Sequence, residues 1–152
     1  MSMVSLTGKA TQIINGYVLT QLPDGDVTKI THPNAKWVLK TGKNGNTIYA
    51  YNYTGLQVEV EQRVLLGGQD DVFLNSIILQ ADANPAGFVL ISGVFVQNVG
   101  DGTGNITPVT FTLNGGVITH DPDASENTSG TTEQAVAVYR MIFSNAPRTI
   151  GM

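Results

Sequence analysis

Residues 56–66, LQVEVEQRVLL, restrict the fold more than any other stretch of the chain. Leu56, Val58, Val60, Val64 and Leu66 alternate with Gln57, Glu59, Glu61, Arg63 and Leu65, and only Gln62 interrupts the apolar set. Strand side chains point alternately to opposite faces, so this stretch reads as a strand with one dry face and one wet, acidic face. Gly67 and Gly68 stop it, and Gln69, Asp70 and Asp71 open a helix. Aspartates suit a helix N-terminus, where free N–H groups and the dipole favour negative charge. Phe73, Leu74, Ile77 and Ile78 recur at helical spacing, which predicts a helix over 69–81 with one apolar stripe.

Around this centre the signals are those of strands and turns. Residues 11–20, TQIINGYVLT, hold Asn15-Gly16 between apolar runs, a strong hairpin signal. Pro23, Asp24 and Gly25 make a turn, and residues 27–31 a short strand. Residues 36–40 (KWVLK) and 47–51 (TIYAY) form a hairpin whose tip is Gly42, Lys43, Asn44, Gly45 and Asn46. After the helix, Pro85 blocks continuation. Residues 87–97, GFVLISGVFVQ, read as a strand buried on both faces or a covered edge, with Gly93 marking a bulge or a close backbone approach. Residues 98–105 form a glycine-rich loop. Residues 109–113 and 117–120 flank Asn114-Gly115-Gly116 and read as a hairpin; 121–133 is a polar loop and 134–143 the last strand. The expectation is a mainly β protein, a small antiparallel β-barrel or sandwich with one short flanking α-helix. It is a single domain over 1–152, with arms at 1–10 and 144–152.

Composition narrows the function classes. The chain has no cysteine, which removes disulfides, thiolate metal sites and cysteine nucleophiles. A formal net charge of -4 disfavours tight binding to nucleic acid. Charged residues are 13% of the chain against about 25% in an ordinary soluble domain, and there are 17 glycines, which together suggest surface covered by partner subunits or built from turns. No apolar run approaches the ~18–20 residues of a membrane span, so no membrane anchor is expected.

Candidate chemistry is sparse. His32 and His120 each stand beside a turn with no nucleophile at a meaningful spacing. Asp121-x-Asp123-x-Ser125 begins like a calcium loop, but Glu126 and Thr132 stand where a glycine and a bidentate glutamate are required. Residues 100–104, GDGTG, lack the Gly-Lys-Ser/Thr and the helix of a phosphate cradle. No catalytic residue, cofactor or metal is expected, and an enzyme is the least favoured reading. Tyr49, Tyr51 and Tyr53, with Trp37, could form a sugar platform or pack against a subunit.

The order of these signals resembles the tail tube proteins of bacteriophages, most closely those of contractile-tailed phages. It consists of an NG hairpin at Ile13-Ile14-Asn15-Gly16, a DG turn at Pro23-Asp24-Gly25, a glycine-tipped hairpin from Gly42 to Gly45, a long alternating strand, and a helix opening at Gln69-Asp70-Asp71. The match is one of order over residues 12–78, with no single diagnostic motif. The resemblance implies a β-barrel or sandwich with one helix, assembling as stacked hexameric rings into a hollow conduit with an acidic lumen for genome ejection. It implies the virion tail as location, synthesis in the host bacterial cytoplasm, and sheath, baseplate and tail terminator proteins as partners, with DNA passing without specific binding. Glu59, Glu61 and Arg63 would then face the lumen, with Arg63 departing from a purely acidic lining, and six copies would carry a formal -24. Gly42, Lys43, Asn44, Gly45 and Asn46 would touch the next ring or a neighbouring subunit. Other virion β-sandwich proteins (a tail terminator, baseplate or capsid decoration protein) and a carbohydrate-binding β-sandwich are the competing readings.

Overall fold

The computed structural model describes residues 5–20, 27–125 and 135–151. Strand β1 (Ser5–Ile14) turns into β2 (Tyr17–Val18). Asn15 at φ 50° and Gly16 at φ 82° give the tight turn expected of Asn-Gly, with both central residues left-handed. β3 (Thr28–Thr31) follows, then β4 (Trp37–Thr41) and β5 (Thr47–Tyr51), then β6 (Val58–Leu65) and helix α1 (Gln69–Ala83). β7 (Ile91–Gly100), β8 (Ile106–Ile118), β9 (Asp123–Ser125), β10 (Val136–Asn145) and β11 (Arg148–Ile150) complete the chain. The fold is mainly β, sandwich- or barrel-like, with one α-helix, as the sequence pattern implies.

Nine strands form one antiparallel sheet along the path β2-β1-β7-β8-β10-β6-β3, with β11 added to β8 and β9 to β10. β4 and β5 stand apart as a two-stranded ribbon. Among the described residues the ladder does not close: β2 and β3 are its ends. The sheet curls around a core built from Ile14, Val58, Val60, Val64, Leu113, Ala137, Tyr139, Met141 and Phe143, which Leu74, Ile77 and Ile78 of α1 fill from one side.

β6 follows the period-2 reading. Val58, Val60, Gln62 and Val64 are buried, Glu59 is exposed, and Glu61 and Arg63 are half-buried on the other face. The ends fall short of the expected strand: Leu56 closes a 3-10 turn and Leu66 is exposed in the turn before α1. Gln62, the one polar residue on the dry face, is fully buried; its Oε1 accepts from the Thr28 hydroxyl at 2.6 Å and its Nε2 donates to the Arg63 carbonyl at 3.3 Å. That pairing explains how a polar side chain sits inside an apolar row.

Several expectations are corrected. Residues 109–120 are not a hairpin. Residues 109–118 belong to the single strand β8, whose first part pairs with β7 and β11 and whose end pairs with β10, and 119–120 lie just beyond it. Gly115, at φ 61°, bends the strand instead of reversing it, because β7 and β10 capture its two halves. A Cβ on Gly116 would lie 2.4 Å from the Phe143 ring, so the glycine also admits that core side chain. Residues 87–90 are not strand either: a 3-10 turn at Pro85–Gly87 delays β7 to Ile91 and leaves Val89 83% exposed. The β7–β8 register shifts between Ile91 and Gly93, and a Cβ on Gly93 would meet the Ile13 carbonyl at 2.6 Å, the close approach the sequence suggested.

The arms are paired in part. Ser5 and Leu6 face Gly100 and Val99 of β7, and Arg148–Ile150 adds to β8. The turn at Pro23-Asp24-Gly25 and most of the polar loop over 121–133 lie outside the described residues, although 123–125 pair with β10.

Candidate functional site

The ribbon β4–β5 is the feature the fold explains least by itself. Its pairs run Trp37–Tyr51, Val38–Ala50, Leu39–Tyr49, Lys40–Ile48 and Thr41–Thr47, and directly opposed residues share a face. One face therefore shows Trp37, Leu39, Tyr49 and Tyr51, and the other Val38, Lys40, Ile48 and Ala50. Both faces are exposed: Trp37 60%, Leu39 55%, Ile48 70% and Tyr49 68%. A two-stranded ribbon is marginal in water, and this one is apolar on both sides. Its two legs are clamped together at the base. Asn52 N–H donates to the Lys36 carbonyl at 2.6 Å, and Gly55 lies so close to Ala35 and Lys36 that a Cβ would meet backbone at 2.6 Å.

The predicted tip residues sit at the far end of this ribbon. The Gly42 N–H donates to the Asn46 carbonyl at 2.7 Å and the Gly45 N–H to the Gly42 carbonyl at 3.0 Å, with Gly45 at φ 86°. Lys43 and Asn44 are exposed between them.

The outer face of β3, β6 and β10 holds the predicted lumen residues. Across the strands Lys29 stands opposite Glu61, which stands opposite Arg140; Thr31, Glu59 and Ile142 make the next row. Arg63 faces Val138. Arg140 also binds Asp123, on β9, at 2.7 Å. The glutamates are thus interleaved with Lys29, Arg63 and Arg140, three cations that make the face mixed in charge; only Arg63 was legible in the alternating strand. Lys29 and Arg140 come from strands distant in sequence, so no local signal reveals them. A cleft of about 510 Å³ opens here, bordered by Lys29, Glu59, Glu61, His120 and Arg140. His120 Nδ1 lies 2.8 Å from the Thr119 hydroxyl, and His32 is exposed in the segment after β3.

The remaining sequence candidates fill structural roles. Asp101 closes the 101–105 turn: its carboxylate accepts from the Thr103 hydroxyl at 2.6 Å, the Thr103 N–H at 2.8 Å and Asn105 Nδ2 at 3.1 Å. These bonds, those from Thr103 first, pull its pKa down to about 2. Tyr51 meets Trp37 at 72° and Tyr53 at 87°, so these rings do not present one flat plane. The aspartates of α1 tie the helix to the sheet. Asp70 is fully buried and accepts from the Tyr17 hydroxyl at 3.0 Å and the Thr20 N–H at 2.8 Å. Asp71 accepts from the Gly67 N–H at 2.9 Å and from the Tyr139 hydroxyl.

Among the described residues the two ends of the sheet are open. On the side of β1 away from β7, β2 covers only Ile13 and Ile14 among the described strands. Among the described strands β3 pairs with β6 alone. Unpaired N–H and C=O groups on such edges are templates for pairing with another chain.

No family model matches this chain, and no curated protein matches it. In fold it is similar to a chain from the cryo-EM structure of the anti-feeding prophage (AFP) baseplate, 6-fold symmetrised. The two are 9% identical and superpose with a TM-score of 0.47 over 98% of this chain and 93% of that one.

Proposed function

We propose that this chain is a self-assembling structural subunit of a phage tail tube, stacking as hexameric rings into a hollow conduit. The observation that carries the reading is the ribbon: a clamped, two-stranded projection with exposed apolar residues on both faces is unfavourable in a free monomer and is stabilised when a neighbour covers it. The open edges at β1 and β3 supply a second means of association, joining copies edge to edge into one continuous sheet. The sequence order shared with tail tube proteins of contractile-tailed phages gives this assembly its biological setting, the virion tail. Sheath, baseplate and tail terminator proteins are its partners there, and the role is structural rather than catalytic.

In this reading the outer face of β3, β6 and β10 lines the bore. Lys29, Arg63 and Arg140 alternate with Glu59, Glu61 and Asp123 across that face, so no cationic patch is large enough to hold a phosphate backbone. Purified chain viewed by negative-stain electron microscopy tests the proposal: rings or rods of uniform bore support it, and a uniform population of small monomers sinks it.

A further inference from the structure

Helix α1 is apolar on two opposite sides. Leu74, Ile77 and Ile78 face the core, while Val72 and Leu79, two turns apart on the opposite side, are 65% and 59% exposed. An exposed apolar pair on the side of a helix away from the core is suited to cover by a partner. Its principal packing partners in its own chain are β6 and the 85–87 turn, not the ribbon. Val89 and Leu90, just beyond that turn, are exposed as well.

The charge on this surface is one-sided. Residues 69–90 carry Asp70, Asp71 and Asp82 and no lysine or arginine. Asp70 and Asp71 are engaged within the chain, as described above, but Asp82 is exposed in the last turn of α1, where no basic residue stands. A carboxylate at the negative end of a helix dipole favours a cation nearby. A second cleft beside the last turn of α1 is bordered by Asp82 and Asp121, with His120 also in its lining, so two carboxylates meet near the helix C-terminus.

The ribbon carries the opposite charge. Residues 36–51 hold Lys36, Lys40 and Lys43 of the chain's eight basic residues, and no acid. Lys40 shares a face with Val38 and Ile48. The five-residue strands span about 17 Å and the fifteen-residue helix about 22 Å, so the lengths match.

Resting on the self-assembly reading, we infer that the Val38–Lys40–Ile48 face of one copy's ribbon seats on Val72 and Leu79 of a second copy's α1, with its lysines against Asp82 and Asp121. Giver and receiver are different surfaces, so the contact is head-to-tail. Such contacts close into rings or run on as stacks, rather than stopping at dimers.

Because the chain has no cysteine, single-cysteine variants report the contact directly. Ile48→Cys chain mixed with Leu79→Cys chain should give a disulfide-linked heterodimer under mild oxidation, while Leu79→Cys alone should not link. Separately, Lys40→Glu and Asp82→Lys should each weaken assembly at least tenfold at low salt, and the two reversals in one chain should restore it. If the unsubstituted chain assembles but no mixed link forms, or if the double reversal is no better than the singles, the seat is overturned and self-assembly stands. If the unsubstituted chain stays monomeric at every concentration, both fall together.

Discussion

Trp37 and Tyr51 meet edge to face across the ribbon, ring centroids 5.0 Å apart and planes at 72°, yet Trp37 keeps 60% of its surface exposed. Such a pair contributes about 0.5–1.5 kcal/mol within one chain. At the centre of an interface, truncating a tryptophan commonly costs about 2 kcal/mol or more. Trp37→Ser should therefore lower the melting temperature of the monomer only slightly but weaken association by roughly thirtyfold or more, as light scattering would show. Trp37 is also the single tryptophan. Its emission should shift to the blue as protein concentration rises, and a constant emission maximum would count against burial of the ribbon on assembly.

Gln12 is 2% exposed, and neither its Nε2 nor its Oε1 has a partner among the described residues. A buried amide without partners costs about 1–3 kcal/mol. Gln12→Met keeps the shape and removes the polar atoms, so it should raise stability by about 1–2 kcal/mol in denaturant titrations. A loss of stability would mean that the amide is satisfied in the folded protein.

Tyr139 is fully buried and donates its hydroxyl to Asp71, which holds the start of α1 to β10. Tyr139→Phe should cost about 1–2 kcal/mol, since the hydrogen bond to a charged group is lost. Burial first, then the bond to Asp71 and its charge, raise the Tyr139 pKa above its ordinary 10.0. Tyr17 is raised in the same direction by burial and Asp70. The folded chain thus holds these protons more tightly than the unfolded chain. Their contribution is complete below pH 10.0 and declines as pH climbs above it. The alkaline fall in stability should be shallower in Tyr139→Phe than in the parent protein.

Asp101 behaves in the opposite sense. With a pKa of about 2 against an ordinary 3.8, its contribution is present above pH 3.8 and is lost as pH falls towards 2. Asp101→Asn should lack this acid-dependent step. Amide exchange at Thr103 and Asn105 across that window is the direct readout, and identical pH profiles in both proteins would refute the assignment.

Glu61 sits between Lys29 and Arg140. Glu61→Lys would set three cations in a row, at a cost of roughly 0.2–1 kcal/mol for each opposed pair, and salt should reduce the loss. Glu59 has Thr31 and Ile142 beside it, so Glu59→Lys should be milder. If both glutamates line a bore, either reversal should leave ring assembly largely intact while impairing genome passage, measured as infectivity of reconstituted particles.

The strand at β6 and the helix that follows were legible because their periods are undiluted: Val58, Val60 and Val64 against Glu59, Glu61 and Arg63, then Leu74, Ile77 and Ile78. The Asn15-Gly16 turn was legible for the same local reason. Asn114-Gly115-Gly116 carries equally strong turn chemistry and misled, because whether a left-handed glycine reverses or merely bends a strand is decided by its partners, here β7 and β10. The mixed charge of the glutamate face escaped for a related reason, since Lys29 and Arg140 reach Glu61 only through sheet register. The exposed outer side of α1 was readable in Val72 and Leu79, but the stripe through Phe73, Leu74, Ile77 and Ile78 accounted for the helix on its own. Val72 and Leu79 became informative once the fold showed which side of the helix faces the core.

Electron microscopy of the purified chain over a range of concentrations bears most directly on whether copies of this protein complete one another. Ring-shaped particles or stacked rods with an open centre, lost when Trp37 and Tyr49 are replaced by serine, are the outcome expected of a ribbon that needs a neighbour. A single 16.2 kDa species that persists at every concentration, with Trp37 still in water, would contradict it.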